Sequence, residues 1–157
     1  MPEFHEFMND FTFATYSSRD KHDLESLQKG MVAITAGLGA NIIEKTGITE
    51  LGQSVGVIMK NNADEIVGGV FGNTFGCWLY ISLLWVEKPL RNRGHGTELM
   101  SIIENEAVKM GCTNAHLDTY SFEARPFYER LGYEMFAALD DYPKGYSKYF
   151  LKKRLAT

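Results

Sequence analysis

Val86–Met100 reads VEKPLRNRGHGTELM, with Arg91, Arg93 and His95 interleaved with Gly94 and Gly96. The ten residues up to Val86, CWLYISLLWV, are mostly large and apolar, with aromatic side chains at Trp78, Tyr80 and Trp85. That pattern predicts a central strand over 77–86, buried on both faces. From Thr97 to Met110, the residues Leu99, Ile103, Ala107 and Met110 share one helical face, Lys109 sits in the last turn, and Gly111 suits the position after the helix. The glycine-rich segment therefore joins a strand to a helix. Gly94 and Gly96 permit close backbone approach, and the N–H groups of Arg93 through Thr97 lack partners at a helix start. With the helix dipole they form an anion cradle, to which Arg91 and Arg93 add countercharge and Thr97 a hydroxyl donor. A phosphate or pyrophosphate is the natural occupant. The plainer alternative is a turn eased by two glycines, with its arginines in solvent. Two familiar phosphate loops do not fit: Gly96 is followed by Thr97 and Glu98 rather than Lys-Ser/Thr, and Leu99 stands where a dinucleotide fingerprint needs its third glycine.

Working outward, NAHLDTY (114–120) follows as a strand. Joined to 77–86 through a helix, it should run parallel to it by a right-handed crossover. SVGVIMK (54–60), NNAD (61–64) and EIVGGVFG (65–72) read as a β-hairpin, with NTFG (73–76) turning into the central strand. ARPFYERLG (124–132) reads as a short helix ending at Gly132, and YEMFAAL (133–139) and YSKYFLKKRL (146–155) as closing strands joined through DDYPKG. FTFATY (11–16) alternates like a first strand, and 23–44 is loosely helical, with Gly37 and Gly39 breaking it in two. The expectation is an α+β fold in one domain over 1–157. Its sheet is mixed and mostly antiparallel, with the fourth and fifth expected strands parallel and flanked by helices. Ligands in such sheets sit at the C-terminal ends of parallel strands, beside the next helix's N-terminus. The cradle lies there.

The chain has 157 residues, 45% apolar and 23% charged, with a formal net charge of −4. That is an ordinary globular composition, and the acidic balance argues against nucleic-acid binding, which needs a basic face. Cys77 and Cys112 form no CxxC pair; they are expected to be buried or half-buried thiols of a reducing cytoplasm, with no metal or disulfide role. The N-terminus lacks the pattern of a secretion signal, and no apolar run approaches the ~18 residues of a membrane span.

The run Val86-x4-Arg91-x2-Gly94-x-Gly96 resembles the acyl-CoA pyrophosphate signature of the GNAT N-acetyltransferases, Arg/Gln-x-x-Gly-x-Gly/Ala. Ala124, Tyr128, Gly132 and Tyr133 resemble that family's second motif, Ala-x-x-x-Tyr-x-x-x-Gly-Phe/Tyr. The likeness covers about 54–155 and is greatest to small bacterial acetyltransferases.

The resemblance implies acetyl-CoA as cosubstrate. Its pantetheine arm would lie along the main chain of Leu84, Trp85 and Val86, and its pyrophosphate on Arg91, Asn92, Arg93, Gly94, His95, Gly96 and Thr97. Tyr128 matches the family's frequent general acid at the CoA sulfur, and Ser121 stands where many relatives contact the cofactor through asparagine. The implied reaction is direct attack of an amine, on a small molecule or a protein, upon the thioester. Many relatives carry a basic glutamate three residues before the place of Val86; here that place is Leu83. Asp118, Glu87 or a water chain are the substitutes, and a cofactor-binding module without turnover is the alternative. Tyr142 and Tyr146 flank the closing loop and are candidates for an acceptor wall. A homodimer is plausible for such a family.

Overall fold

The computed structural model describes residues 12–155. They fall into two compact units that meet at Thr49–Glu50.

In the first unit, a 3-10 turn over Lys21–Asp23 leads into helix α1, Leu24–Thr46. The Asp20 carboxylate accepts from the His22 N–H at 2.9 Å. Gly47, at φ 71°, ends the helix and donates its N–H to the Ile43 carbonyl. The expected break at Gly37 and Gly39 does not occur. An interior glycine costs about 1 kcal/mol relative to alanine, which the flanking Leu, Ala and Ile residues offset. No residue of α1 is buried. The strand expected over 11–16 is also absent among its described residues, 12–16; Phe11 lies outside them. Alternation over six residues without a pairing partner is insufficient.

The second unit holds β1 (Gln53–Lys60), β2 (Ile66–Phe75), β3 (Trp78–Val86), α2 (His95–Lys109), β4 (Asn114–Tyr120), α3 (Arg125–Arg130), β5 (Glu134–Leu139) and β6 (Lys148–Arg154). One mixed sheet runs β1-β2-β3-β4-β6-β5. The expected hairpin is β1–β2, closed by the Asn61 side chain, which accepts from the N–H groups of Ala63 and Glu65 at 2.9 and 3.0 Å. The predicted parallel pair is present as β3 and β4 rather than fourth and fifth strands, because 12–16 adds none. All other pairings are antiparallel.

Helix α2 lays Leu99, Met100, Ile103 and Ala107 on Val70, Leu79, Ile81, Ala115, Leu117 and Leu151, all buried. Each of the larger of these side chains, the leucines, isoleucines, valine and methionine, contributes about 1.5–3 kcal/mol by leaving water, which fixes α2 and hence the cradle at its start. Helix α2 also carries Glu104, which accepts from the Tyr133 hydroxyl at 2.8 Å and from Lys153 Nζ of β6 at 2.6 Å. Burial and that carboxylate push the Tyr133 hydroxyl far above its ordinary pKa. Cys112 is buried but Cys77 is exposed, against expectation, because Cys77 ends a tight turn before β3 begins. Among the described residues no helix is long and apolar enough to cross a membrane.

Candidate active site

The site begins with an irregularity in β3. Phe71 pairs with Leu83 and Gly72 with Ile81, so Ser82 is an extra residue against β2, its hydroxyl donating to the Phe71 carbonyl at 3.2 Å. One extra residue reverses the in-and-out alternation of a strand. Before it, Leu79 and Ile81 face the core; after it, Leu84 and Val86 do, and Leu83 and Trp85 turn outward at 66% and 50% exposure. The strand is therefore not buried on both faces as its composition predicts.

Parallel pairing with β4 stops at the same point, running only from Trp78↔Asn114 to Ile81↔Leu117. Beyond it the strands diverge around a cleft of about 990 Å³, lined by 81–86 of β3, 117–120 of β4, the glycine-rich turn and the start of α3. From Leu83 onward β3 has no partner on this edge among the described residues, so its peptide groups are open to a ligand that pairs like a strand.

At the cleft's end the turn takes positive φ at Asn92 (60°) and Gly94 (89°), and Gly94 caps α2. Glu98 donates to the Gly94 carbonyl at 3.0 Å, the first helical bond. The N–H groups of His95, Gly96 and Thr97 precede it and have no helical partner. A Cβ at Gly96 would meet the Phe127 ring at 3.2 Å, so a side chain here would crowd the close approach of α2 and α3. Leu84, Trp85, Val86, Arg91, Asn92, Gly94, Gly96, Thr97 and Tyr128 all line the cleft, whereas Arg93, His95 and Ser121 do not. Arg91 Nε donates to the Val86 carbonyl at 2.8 Å, tying the guanidinium to the strand end. Arg93 is exposed, His95 Nδ1 stands 4.0 Å from Glu98, and Ser121 exchanges bonds with Ser147 of the closing loop.

Tyr128 is carried on α3, its ring edge-on to Phe127 and Tyr133. Its hydroxyl has no partner among the described residues. Burial first, then the carboxylates of Glu123 and Asp118, push its pKa up to about 12. Of the two carboxylates named as substitute bases, Asp118 lines the cleft and Glu87 does not. Asp118 is already engaged: Tyr80 donates to one oxygen at 2.9 Å and Lys148 Nζ meets the other at 2.8 Å. Burial and the bond to Asp118 raise the Tyr80 pKa, and the same carboxylate raises that of Lys148. Glu123, which sequence reasoning passed over, also lines the cleft and has no side-chain partner among the described residues. Its only sequence signal is its place five residues before Tyr128.

The model of the Acetyltransferase (GNAT) family matches residues 5–133. A blasticidin-S acetyltransferase of Streptomyces morookaense is 37% identical over 92 residues, 58% of this chain and 68% of that protein. An acetyltransferase of Agrobacterium fabrum is 33% identical over 102 residues, 65% and 74% of the two chains. A crystal structure of an Agrobacterium tumefaciens protein described as an acetyltransferase superposes with a TM-score of 0.80 at 28% identity, covering 92% of this chain and 99% of that one. This chain belongs to the GNAT acetyltransferase family. It is an enzyme of that class, so the alternative of a module without turnover, which rested on Leu83 alone, is set aside.

Proposed function

We propose that the cleft binds acetyl-CoA and that the enzyme transfers its acetyl group to an amine by direct attack. The observation that carries this reading is the divergence of β3 from β4 where it opens onto the partnerless N–H groups at the start of α2. An extended chain ending in phosphates fits both halves of that cleft, its amides pairing with Leu84–Val86 and its pyrophosphate meeting the cradle. Both arginines are exposed, but Arg91 lines the cleft and adds countercharge there, whereas Arg93 lies outside its lining. Accordingly, Arg91→Ala should weaken CoA binding by about 1–3 kcal/mol. Arg93→Ala should cost about 0.5 kcal/mol or less, as a solvated charge outside the cleft does. Calorimetric titration of the two single variants separates the roles, and equal losses would contradict the assignment.

Chemically, the amine nitrogen bonds to the thioester carbon and the carbon–sulfur bond breaks. The nitrogen sheds a proton, and the departing sulfur accepts a hydrogen bond from Tyr128. We assign the nitrogen's proton to Glu123, since both oxygens of Asp118 are held by Tyr80 and Lys148 while those of Glu123 have no partner among the described residues. Glu123→Gln should then lower kcat/KM at neutral pH by about 10-fold or more. The deficit should shrink as pH approaches the acceptor's own pKa, where the amine arrives already neutral. A deficit unchanged with pH would assign Glu123 to positioning instead. The whole reading is tested by thiol release from acetyl-CoA across a panel of amines. Cofactor binding without acceleration by any amine or protein lysine would overturn it.

A further inference from the structure

Beside the cofactor cleft lies a second, open recess walled by Tyr120, Phe122, Asp141, Tyr142 and Pro143. Tyr120 belongs to both. Its ring lies parallel to Phe122, with centroids 5.1 Å apart and planes within 2°, and stacks on Tyr142 at 6.1 Å. Phe122 and Tyr142 are each about half exposed, so their outer faces are available. Asp141 accepts the Gly145 N–H through one oxygen at 3.0 Å; its other oxygen has no partner among the described residues. None of these groups has a part in the transfer chemistry above.

Aromatic faces with one carboxylate are the chemistry of an organic cation. The protein already places a cation on these rings: Lys148 Nζ sits 5.7 Å from the Tyr120 centroid and 5.1 Å from that of Tyr142. Its charge is met by Asp118 at 2.8 Å, so it leaves no uncompensated positive field to repel a second cation. Over the segments that wall the recess, Asp118, Glu123, Asp140 and Asp141 outnumber Lys144 and Lys148. The local potential therefore favours positive charge. A surface that stabilises a cation holds an amine in its protonated form, and a protonated amine has no lone pair with which to attack. The recess thus suits a cation other than the nucleophile, a short distance from it.

We propose that the acceptor is an organic dication: one amine reacts in the cleft while a second ammonium or guanidinium rests on Tyr120, Phe122 and Tyr142 against Asp141. This rests on the acetyl-transfer reading and narrows its substrate class. The test compares α,ω-diaminoalkanes of three to eight carbons with alkyl monoamines of the same lengths, by calorimetric binding to the CoA-loaded enzyme and by thiol release from acetyl-CoA. At least one diamine length is expected to bind about 10-fold or more tightly than its monoamine, with the gap shrinking as salt rises. Asp141→Asn keeps an acceptor for the Gly145 N–H and suits the positive φ of 53° at this position, so it deletes the charge without disturbing the loop. In Asp141→Asn and in Phe122→Leu the gap should close to about 3-fold or less. Equal binding of diamines and monoamines at every length overturns the proposal, as does a gap that survives both substitutions. Preferential diamine binding without thiol release would leave the recess assignment standing and remove the transfer reading, so the two failures are separable.

Discussion

Tyr128→Phe is expected to lower kcat by about 10²-fold while leaving acetyl-CoA affinity nearly unchanged, the ordinary size for the loss of one donor that stabilises developing charge. The ring stays, so its edge-on contacts with Phe127 and Tyr133 stay, and only the hydroxyl of this cleft-lining residue is lost. Its raised pKa, about 12, determines how it acts. A thiol loses its proton near pH 8.5, so complete transfer from Tyr128 to the departing thiolate is uphill by roughly 3–4 pKa units. Tyr128 therefore stabilises charge on sulfur through a hydrogen bond that strengthens as the bond breaks, and the thiolate takes its proton from water after release. Two measurements follow. The ratio of wild-type to Tyr128→Phe kcat should stay constant from pH 6 to 10, because the wild-type hydroxyl remains protonated throughout. Stability should respond at higher pH. A tyrosine whose folded pKa lies above its unfolded value of about 10 contributes stability that is complete below pH 10 and is lost as pH rises towards 12. Alkaline denaturation should accordingly be less steep in Tyr128→Phe between those limits. A variant that turns over at the wild-type rate would reduce Tyr128 to packing.

The features legible in the sequence are those set by neighbours along the chain. The period of Leu99, Ile103 and Ala107 gave α2, Gly111 gave its end at φ 92°, and the crossover through α2 required β3 and β4 to be parallel. The glycine-rich turn could be read because a helix start, an apolar strand and two glycines fall within a few residues. What escaped depends on partners far away in sequence. The extra residue at Ser82 exists only in relation to β2, and without it the run of large side chains after Ser82 reads as two-sided burial. Asp118 gains Tyr80 and Lys148 from strands 38 and 30 positions away, so its oxygens looked free. Glu123 was the reverse case, an unremarkable residue in a turn that acquires meaning because the turn folds over the cleft. Arg91 and Arg93 are equivalent in the sequence; the structure separates them by the bond from Arg91 to the Val86 carbonyl and by the place of Arg91 alone in the cleft lining.

Gly96→Val is expected to raise the dissociation constant for acetyl-CoA by about 10²-fold, corresponding to one or two charge-assisted hydrogen bonds lost. Close backbone approach at Gly96 would by itself trace this loss to a side chain standing where the phosphate sits. The structure points to a different obstacle. A Cβ at Gly96 meets Phe127 Cζ at 3.2 Å and Cε2 at 3.5 Å, and valine adds two methyl groups beyond that contact. Phe127 packs on the core and on Tyr128, so it cannot simply swing away. The first turn of α2 must move instead, and the N–H groups of His95, Gly96 and Thr97 move with it. Gly94 supplies the contrast. Nothing lies within 4 Å of a Cβ there, but its φ of 89° is strained for any residue with a side chain. Gly94→Ala should therefore cost about 1–2 kcal/mol of stability through the backbone alone. Calorimetry and thermal melting of both variants, with Gly96→Ala as the intermediate step, resolve the two mechanisms. Affinity should fall in the order glycine, alanine, valine at position 96, while Gly94→Ala shows its larger change in melting temperature. Wild-type affinity in Gly96→Val would mean that the backbone at the start of α2 does not hold the pyrophosphate, and the anion site would have to be sought at the arginines instead.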